Sequence, residues 1–397
     1  MNFRNPAKLI PRNNWDYKWK ALFSAFASAG RKSMPAPNTE MIFQQRPVWT
    51  TSGRASLYTI LKSLELPAGA KVGVPLFCCS VVFNAICQAG LTPCFIDSGA
   101  DDYNLSVEDL RKKRADLAAL VVVHMFGNPC DMDAVTEIAG DMPVIEDCAQ
   151  SLFSTYKGKL VGSLSTASFF SFRCGKYISA GEGSAIFCRD PELQKKIEQT
   201  ANSFDDWPAS QKLLDALSTF VKATLYNRPW YGLLGYPVGM RLDKKLNLTA
   251  KDGFETEKIA STHLALIDAR MAHFQEQVAI QREHAHILLE AVKPLNFSLP
   301  VERGNGSTGN WFQFALQFQS TRQRDAMADY LFRQGIDTSK YLDDIVEDAG
   351  SHYGYKGDCP NAERLSKTVL LVPIHYTLRA RDIETIARSI NAGSQTL

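Results

Sequence analysis

The sequence has almost no excess of charge of either sign: 44 lysines and arginines stand against 42 aspartates and glutamates, a formal net charge of +2. So small a surplus gives no reason to expect nucleic acid as the main partner. Apolar residues make up 45% and charged residues 22% of the 397 positions, which is typical of a soluble globular protein. A chain of this length exceeds what one core usually organises, so we expect one large and one smaller domain.

The sequence also lacks the cysteine and histidine spacings of a disulfide framework or a metal site. Its nine cysteines include no Cys-x-x-Cys pair, and most lie inside apolar runs such as AIFCRD and PCFID. They predict buried, reduced thiols in a cytosolic protein. His284 and His286 lie two positions apart on a helical pattern and therefore do not share a face. We predict no metal ligands.

Long uninterrupted apolar runs are missing as well. The basic N-terminus, with Lys8 and Arg12, is not followed by the apolar core of a secretory signal. The longest apolar and aromatic stretch, residues 216–240, contains Lys222, Arg228 and two prolines, which is too interrupted to predict an integral membrane span. We interpret it as a helix followed by an aromatic loop that packs against the body or a subunit interface. Contact with a membrane surface is the alternative.

Short apolar runs alternate with helical patterns from about residue 55 to 205. The runs KVGVPL, PCFID, ALVVVHMF, PVIEDC, ASFFSF and SAIFC predict strands. Strands this apolar are covered on both faces, so the alternation predicts an α/β fold with a mainly parallel sheet and helices on each side. Ligands bind such sheets at the carboxyl ends of the strands, where chemistry should be sought.

The remainder of the chain predicts a smaller unit. Beyond a long helical pattern from Thr256 to about Val292, strand and helix patterns alternate over a shorter stretch. We therefore expect a large domain in residues 1–255, which carries an inserted segment near 205–250. A small α+β domain in residues 256–397 would begin with the long linking helix.

Two ionisable residues follow predicted strands. Asp147 ends the strand PVIED, and taken alone it suits a helix N-cap as well as a site. Lys176 follows ASFFSF between Gly175 and the turn Gly181–Gly183. Lysine is usually a solvated surface residue, but one at the end of a buried strand is desolvated. Desolvation lowers its pKa and favours the neutral amine that attacks a carbonyl.

A possible anion site precedes the first helix of the sheet. The segment Ser52-Gly53-Arg54-Ala55 places small residues at a helix start, where free backbone N–H groups and the helix dipole favour an anion. Arg54 would add a charge-assisted bond to phosphate. Ser171, five positions before Lys176, could bond the same group. Each signal is weak by itself.

Together these residues meet the requirements of pyridoxal phosphate. The cofactor needs a phosphate cradle, an acid that keeps its ring nitrogen protonated and a lysine that holds its aldehyde and later moves protons. Asp147 and the lysine 29 positions later, Lys176, would supply the last two.

Several segments then resemble the DegT-type sugar aminotransferases, which are fold type I pyridoxal-phosphate enzymes. The resemblance runs in order from about Ser52 to Asp190 and rests on SGRASL, VVVHMFGNPCDMDAV, VIEDCAQS, ASFFSF and the lysine followed by GEGS. It returns weakly in CPNAERLSKTVLLVPIHYTL. It implies a mainly parallel sheet of the seven-stranded type and a small C-terminal α+β domain.

The resemblance also implies a role for each matching residue. Lys176 would be the Schiff-base lysine and Asp147 the partner of the pyridine nitrogen. The other cofactor-binding residues would be Gln150, beside the ring oxygen, Ser171 on the phosphate, and Gly53, Arg54 and Ala55 at the helix start.

Three positions depart from the family pattern. Arg54 replaces the usual threonine. Cys79 stands where an aromatic residue usually stacks on the cofactor ring, and Phe77 is the candidate to compensate. An asparagine that the partner subunit usually sends to the phosphate has only Asn247 as a candidate here. One family branch that dehydrates keto-sugars carries histidine in place of the lysine, and Lys176 argues against that branch.

The expected function is transfer of an amino group, with glutamate as donor, to the keto group of a nucleotide-linked sugar. The product would serve polysaccharide or secondary-metabolite biosynthesis, and the enzyme would be a cytoplasmic homodimer. Two alternatives keep the cofactor. One is an aminotransferase for a non-sugar carbonyl, either lipid-like or carrier-bound, and the other is a pyridoxal-phosphate-binding regulator without turnover.

Overall fold

A seven-stranded sheet forms the centre of the molecule. The computed structural model describes residues 5–31, 34–100, 102–239, 256–302, 304 and 306–396. The strands, in chain order, are β1 Val48–Thr50, β2 Lys71–Pro75, β3 Thr92–Ile96, β4 Ala119–Val123, β5 Val144–Asp147, β6 Thr155–Tyr156, β7 Lys159–Leu160, β8 Ala167–Ser171, β9 Ser184–Cys188, β10 Phe297–Ser298, β11 Phe314–Phe318 and β12 Val369–Val372.

Fourteen α-helices whose full extent lies in the described part of the chain surround this sheet and a smaller one. They are α1 Trp19–Ser28, α2 Pro37–Phe43, α3 Gly53–Ser63, α4 Val81–Gln88, α5 Val107–Lys113, α6 Met132–Ala139, α7 Pro191–Asn202, α8 Ala209–Leu225, α9 Ser261–Met271, α10 Phe274–Ala291, α11 Thr321–Arg333, α12 Ile345–His352, α13 Pro360–Thr368 and α14 Ala380–Ser394.

The large sheet has the order β1-β9-β8-β5-β4-β2-β3. Strands β2, β3, β4, β5 and β8 run parallel, and β9 is antiparallel to both of its neighbours. Side chains of β4 alternate between two cores: Val121 joins the core with α3 and α4, whereas Val122 joins the core with α5 and α6. Helices therefore cover both faces, which confirms the predicted fold class.

The smaller sheet has the order β10-β11-β12 and is antiparallel. Its apolar side chains share a core with α10, α11 and α14. The predicted long linking helix is wrong in one respect: α9 and α10 are separate helices, and His273 between them has φ −121° and ψ 5°. The break lets α9 pack against α1 while α10 packs against α14.

Helix α8 covers the first part of the stretch 216–240, as predicted. The described residues after it differ from the predicted aromatic loop. Helix α8 is followed by a π-helical turn, Tyr231–Gly235. Phe220 and Ala223 of α8 are buried against the body, which confirms packing on one side. None of the described helices is long and apolar enough to cross a membrane.

Candidate active site

A cavity opens where β5 and β8 end and α3 begins. Residues of all three elements line it, together with the segment that follows β8 and the loop after β2. The lining residues include Ser52, Gly53, Arg54, Cys79, Asp147, Gln150, Ser171, Arg173 and Lys176. The parallel strands explain the convergence, because their carboxyl ends meet at one edge of the sheet.

The start of α3 lies directly against the end of β8. Ser52 caps the helix, since its Oγ accepts the backbone N–H of Ala55 at 3.2 Å. A Cβ on Gly53 would lie 3.3 Å from the Phe169 ring and 3.6 Å from Cβ of Ser171. Glycine therefore permits the close approach of the first turn of α3 to the cavity edge that carries Ser171.

Two guanidinium groups stand beside this helix start. Burial lowers the pKa of Arg54, and the nearby positive charge of Arg173 lowers it further. Arg173 also pairs with Glu182 at 3.5 Å. Two cations brought together at a helix N-terminus favour a bound anion, because the anion relieves their repulsion. Arg173 was not predicted from the sequence.

Lys176 lies in a tight turn after β8. Ser179 fixes the turn, because its Oγ accepts the backbone N–H of Gly175 at 3.0 Å and donates to the Lys176 carbonyl at 2.9 Å. The ammonium group lies 5.7 Å from the centre of the Phe312 ring. Burial lowers the pKa of Lys176, and the opposite charge of Asp147 only partly offsets this. Lys176 therefore loses its proton at a lower pH than a solvated lysine does, which favours the neutral amine.

Asp147 is buried at the end of β5. No helix begins directly after Asp147 in the described chain, so the N-cap interpretation is wrong. Oδ1 of Asp147 instead accepts the N–H of Ala149 in a turn, at 2.9 Å. Burial raises the pKa of Asp147, against the lowering effects of that hydrogen bond and of Lys176. Asp147 and Lys176 are therefore two buried groups of opposite charge that share one cavity.

A second carboxylate fixes the strand that carries Asp147. Glu146 points to the other face of β5 and accepts from Gly162, Leu164 and Ser165 at 2.7–2.9 Å. It also pairs with His124 at 3.1 Å. Cys148 lies close to both, but these hydrogen bonds already occupy the Glu146 oxygens. We interpret the group as structural support for Asp147.

Gln150 joins the cavity to the second half of the chain. Its Oε1 accepts the N–H of Phe126 and its Nε2 donates to the hydroxyl of Tyr341, both at 3.0 Å. Asn310 donates to the Gln150 carbonyl at 3.0 Å. Tyr341 and Asn310 were not predicted, because their neighbours in sequence carry no strand-end pattern.

Cys79 is an exposed thiol on the cavity wall. Phe77 is fully buried and packs against Tyr103, Phe126 and Tyr341. Phe77 thus belongs to the core behind the wall, and it does not replace the missing aromatic residue on the cavity surface. Asn247, the candidate phosphate ligand for a partner subunit, lies outside the described residues.

Curated relatives and solved structures resemble this chain. The GDP-perosamine synthase of Escherichia coli O157:H7 is 38% identical over 146 residues, which span 36% of this chain and only 40% of that protein. A UDP-N-acetyl-3-dehydro-alpha-D-glucosamine 3-aminotransferase of Acidithiobacillus ferrooxidans is 26% identical over 349 residues, 86% of this chain and 83% of that one. The aminotransferase TlmJ of Streptoalloteichus hindustanus has the same fold, with a TM-score of 0.78 and 21% identity over 98% of this chain and 99% of that chain.

The entire cavity lies within the stretch that matches one family model, residues 40–391. Pyridoxal phosphate is the cofactor of this family, and the residues present fit it. A glycine-lined helix start with two arginines suits its phosphate, and a buried lysine and a buried acid suit its aldehyde and its ring nitrogen. The chain belongs to the DegT/DnrJ/EryC1/StrS aminotransferase family.

Proposed function

We propose that this protein is an aminotransferase that moves an amino group, with glutamate as donor, onto the keto group of a nucleotide-linked sugar. The convergence of Lys176 and Asp147 beside the start of α3 carries the proposal. The names of the relatives from Escherichia coli O157:H7 and Acidithiobacillus ferrooxidans support the substrate class, because both denote enzymes of nucleotide-linked amino sugars. The product would enter polysaccharide or secondary-metabolite biosynthesis.

Each residue has a proposed role. When bound, pyridoxal phosphate supplies an aldehyde that accepts the amino group and a ring that takes up electrons. Lys176 would hold the cofactor through Nζ at the aldehyde carbon, with loss of water, and would later carry protons on that atom. Asp147 holds a proton on the ring nitrogen, and Gln150 orients the ring.

The phosphate has its own proposed set of ligands. The start of α3 at Gly53, Arg54 and Ala55 would hold it together with Ser171, and Arg173 would neutralise its charge. The wall at Cys79 leaves one side of the ring less covered than an aromatic side chain would.

A large cavity beside the site supports a bulky acceptor. It measures about 860 Å³ and is lined by Tyr103, Asn128, Trp311 and Arg364 among others. Gln313 borders this cavity and also the spaces that reach Lys176. A volume of this order suits a ligand larger than an amino acid.

The proposed setting is the cytoplasm, because all nine cysteines are free and free thiols persist in reducing compartments. We further propose a homodimer built from chains with a cofactor-binding domain in residues 1–255 and a small domain in residues 256–397. The core that β10, β11 and β12 share with α10, α11 and α14 supports a separate small unit, although α9 lies in the core of the large unit.

Single-turnover chemistry with glutamate tests the activity. The purified protein loaded with pyridoxal phosphate should release about one equivalent of 2-oxoglutarate per chain, and borohydride should fix the cofactor on Lys176. Lys176→Ala should lose both results, with activity down by a factor of about 10³ or more. Lys195→Ala, on the exposed side of α7, is the matched control and should retain both.

Keto-sugar nucleotides with different bases then test the acceptor. Regeneration of the glutamate-reactive enzyme by one of them would support the proposal. If glutamate converts the cofactor to its amine form and only non-sugar carbonyls regenerate the aldehyde form, the proposed substrate class is wrong. Fixed cofactor without 2-oxoglutarate release from glutamate, and without oxo-acid release from other amino donors, would contradict transamination and favour a binding role.

A further inference from the structure

An exposed apolar surface lies on α1 and α8. Trp19 and Phe23 of α1 are 64% and 65% exposed, and Leu214, Leu217 and Val221 of α8 are 68%, 46% and 49% exposed. We call these five residues the apolar face. Trp19 contacts the Phe220 ring at 4.4 Å between centroids, so the two helices form one continuous surface.

Each of these helices carries more apolar residues than its contact with the body uses. Leu22 and Ala25 of α1 and Ala216 and Ala223 of α8 are buried against the body. The exposed residues of α8, at the spacing 214–217–221, lie on the other side of that helix, and Trp19 and Phe23 of α1 lie beside its buried side. A helix that only packs on the body needs one apolar side. The additional, exposed apolar residues of α1 and α8 therefore mark a site for a binding partner.

The same surface concentrates positive charge. Residues 5–31 and 207–239 contain eight lysines and arginines and two aspartates, a net charge of 8 − 2 = +6, although Arg12 and Arg228 pair with Asp337 and Asp382 outside these segments and Lys212 is buried. The rest of the chain therefore carries +2 − 6 = −4. Lys18, Lys20, Arg31 and Lys222 are exposed around the apolar face, and the side chain of Lys18 is 82% exposed.

The two aspartates cancel part of this charge, but the four exposed cations Lys18, Lys20, Arg31 and Lys222 outnumber them. Asp16 is half-buried, 3.7 Å from Lys18 and 3.9 Å from Arg270. Asp215 pairs with His263 at 2.5 Å, which, together with the effect of Lys222, holds its pKa below the ordinary value despite its burial. The rim of the apolar face is therefore cationic, and the complementary partner is anionic.

We propose that the apolar face docks on an anionic phospholipid surface, with α1 and α8 in the plane of the membrane. Trp, Phe and Leu side chains would enter the headgroup and acyl boundary, and the surrounding lysines and arginine would meet lipid phosphates. Among the described helices none can cross a membrane, so the attachment is peripheral and reversible.

A second copy of the chain fits this surface less well. A two-fold dimer through the apolar face would bring the same patch together twice. The two cationic rims would then face each other, and like charges at an interface cost free energy. A bilayer with acidic headgroups supplies both the apolar layer and the opposite charge.

Vesicle sedimentation with the full-length, cofactor-loaded protein tests the proposal. We expect co-sedimentation with phosphatidylcholine vesicles that contain roughly one-third phosphatidylglycerol, and little with pure phosphatidylcholine. Leu217→Gln combined with Val221→Gln, and separately Lys18→Glu combined with Lys20→Glu, should each weaken binding about tenfold or more. The proposal does not depend on the identity of the amino acceptor.

A matched control uses exposed apolar residues elsewhere. Leu295 and Val301 are 62% and 72% exposed, and their glutamine variants should sediment like the wild type. Circular dichroism and cofactor absorbance show that each variant is folded. Absence of wild-type binding, equal binding to both vesicle types, or equal loss in the control would overturn the proposal. Loss of a dimer in the Leu217 and Val221 variant, without vesicle binding by the wild type, would assign the face to a second copy.

Discussion

The behaviour of Lys176 is set by two opposing effects, burial and the charge of Asp147. Burial lowers the pKa of the lysine from its ordinary 10.5, and Asp147 raises it by a smaller amount. Replacing Asp147 with asparagine removes the raising effect and leaves the burial. The pKa of Lys176 should therefore fall further in Asp147→Asn than in the wild type.

Amidination of the cofactor-free protein at different pH values, followed by peptide mass spectrometry, measures this fall in the pKa of Lys176. Lys176 should become reactive at a lower pH than Lys71, whose hydrogen bond to Asp116 raises its pKa. In Asp147→Asn the midpoint for Lys176 should move down while that for Lys71 stays in place. A midpoint for Lys176 that does not move would mean that the two groups are not coupled.

The position of a residue in the chain determined whether the sequence revealed it. Asp147 and Lys176 follow apolar strands, and parallel strands necessarily bring such positions together. Arg173 lies in the same segment but has no pattern that separates it from a surface arginine. Tyr341 and Asn310 reach the site through hydrogen bonds to Gln150, and contacts so distant in sequence leave no local signal.

At the scale of single elements, the start of α3 combines a structural cap with a proposed anion site. Ser52 caps α3 and Ser106 caps α5 in the same way, each accepting a backbone N–H at 3.2 Å. Ser52→Ala and Ser106→Ala should each lower the free energy of unfolding by about 1 kcal/mol. Only Ser52→Ala should also weaken pyridoxal phosphate binding, by roughly three- to tenfold, because only α3 borders the cavity.

Urea unfolding and fluorescence titration with the cofactor check the two quantities separately. Equal weakening of cofactor binding in both variants would show that the effect follows global stability. Unchanged binding in both would remove α3 from the phosphate site.

Element boundaries followed from sequence where the local chemistry is strong. The apolar strands agree with the prediction. The break between α9 and α10 could not be predicted, because apolar periodicity continues through residues 261–291 without a glycine or proline. The packing of the two helices determines the break. Helix α9 is almost fully buried and packs against α1, whereas α10 shares the core of the smaller sheet.

At the scale of the whole molecule, the N-terminal segment and the segment after α8 are tied to the C-terminal part. Arg12 pairs with Asp337 at 2.7 Å, and Tyr231 donates to the same carboxylate. Arg228 donates two hydrogen bonds to Asp382 of α14, at 2.9 and 2.6 Å. These interactions hold distant parts of the chain together. They also fix the segments next to α1 and α8, the helices that carry the apolar face.

The pair of Arg228 and Asp382 predicts how stability depends on pH. The Asp382 side chain is only 8% exposed, and burial alone would raise its pKa. The bonds from Arg228 and from the N–H of Arg379 nevertheless hold that pKa below the ordinary 3.8. The pair therefore contributes stability above about pH 4, and the contribution is lost as the pH falls through the pKa of the folded state.

Arg228→Ala should lower the free energy of unfolding by about 2 kcal/mol near neutral pH, because it leaves a buried carboxylate without its partner. The deficit relative to the wild type should shrink as the pH falls below about 4, since protonated Asp382 no longer needs the arginine. Urea unfolding across this range measures both. Lys71→Ala, which breaks the exposed pair with Asp116, is the control and should lower the free energy of unfolding far less than Arg228→Ala does. A deficit for Arg228→Ala that stays constant down to pH 3 would place its origin in lost packing instead of charge.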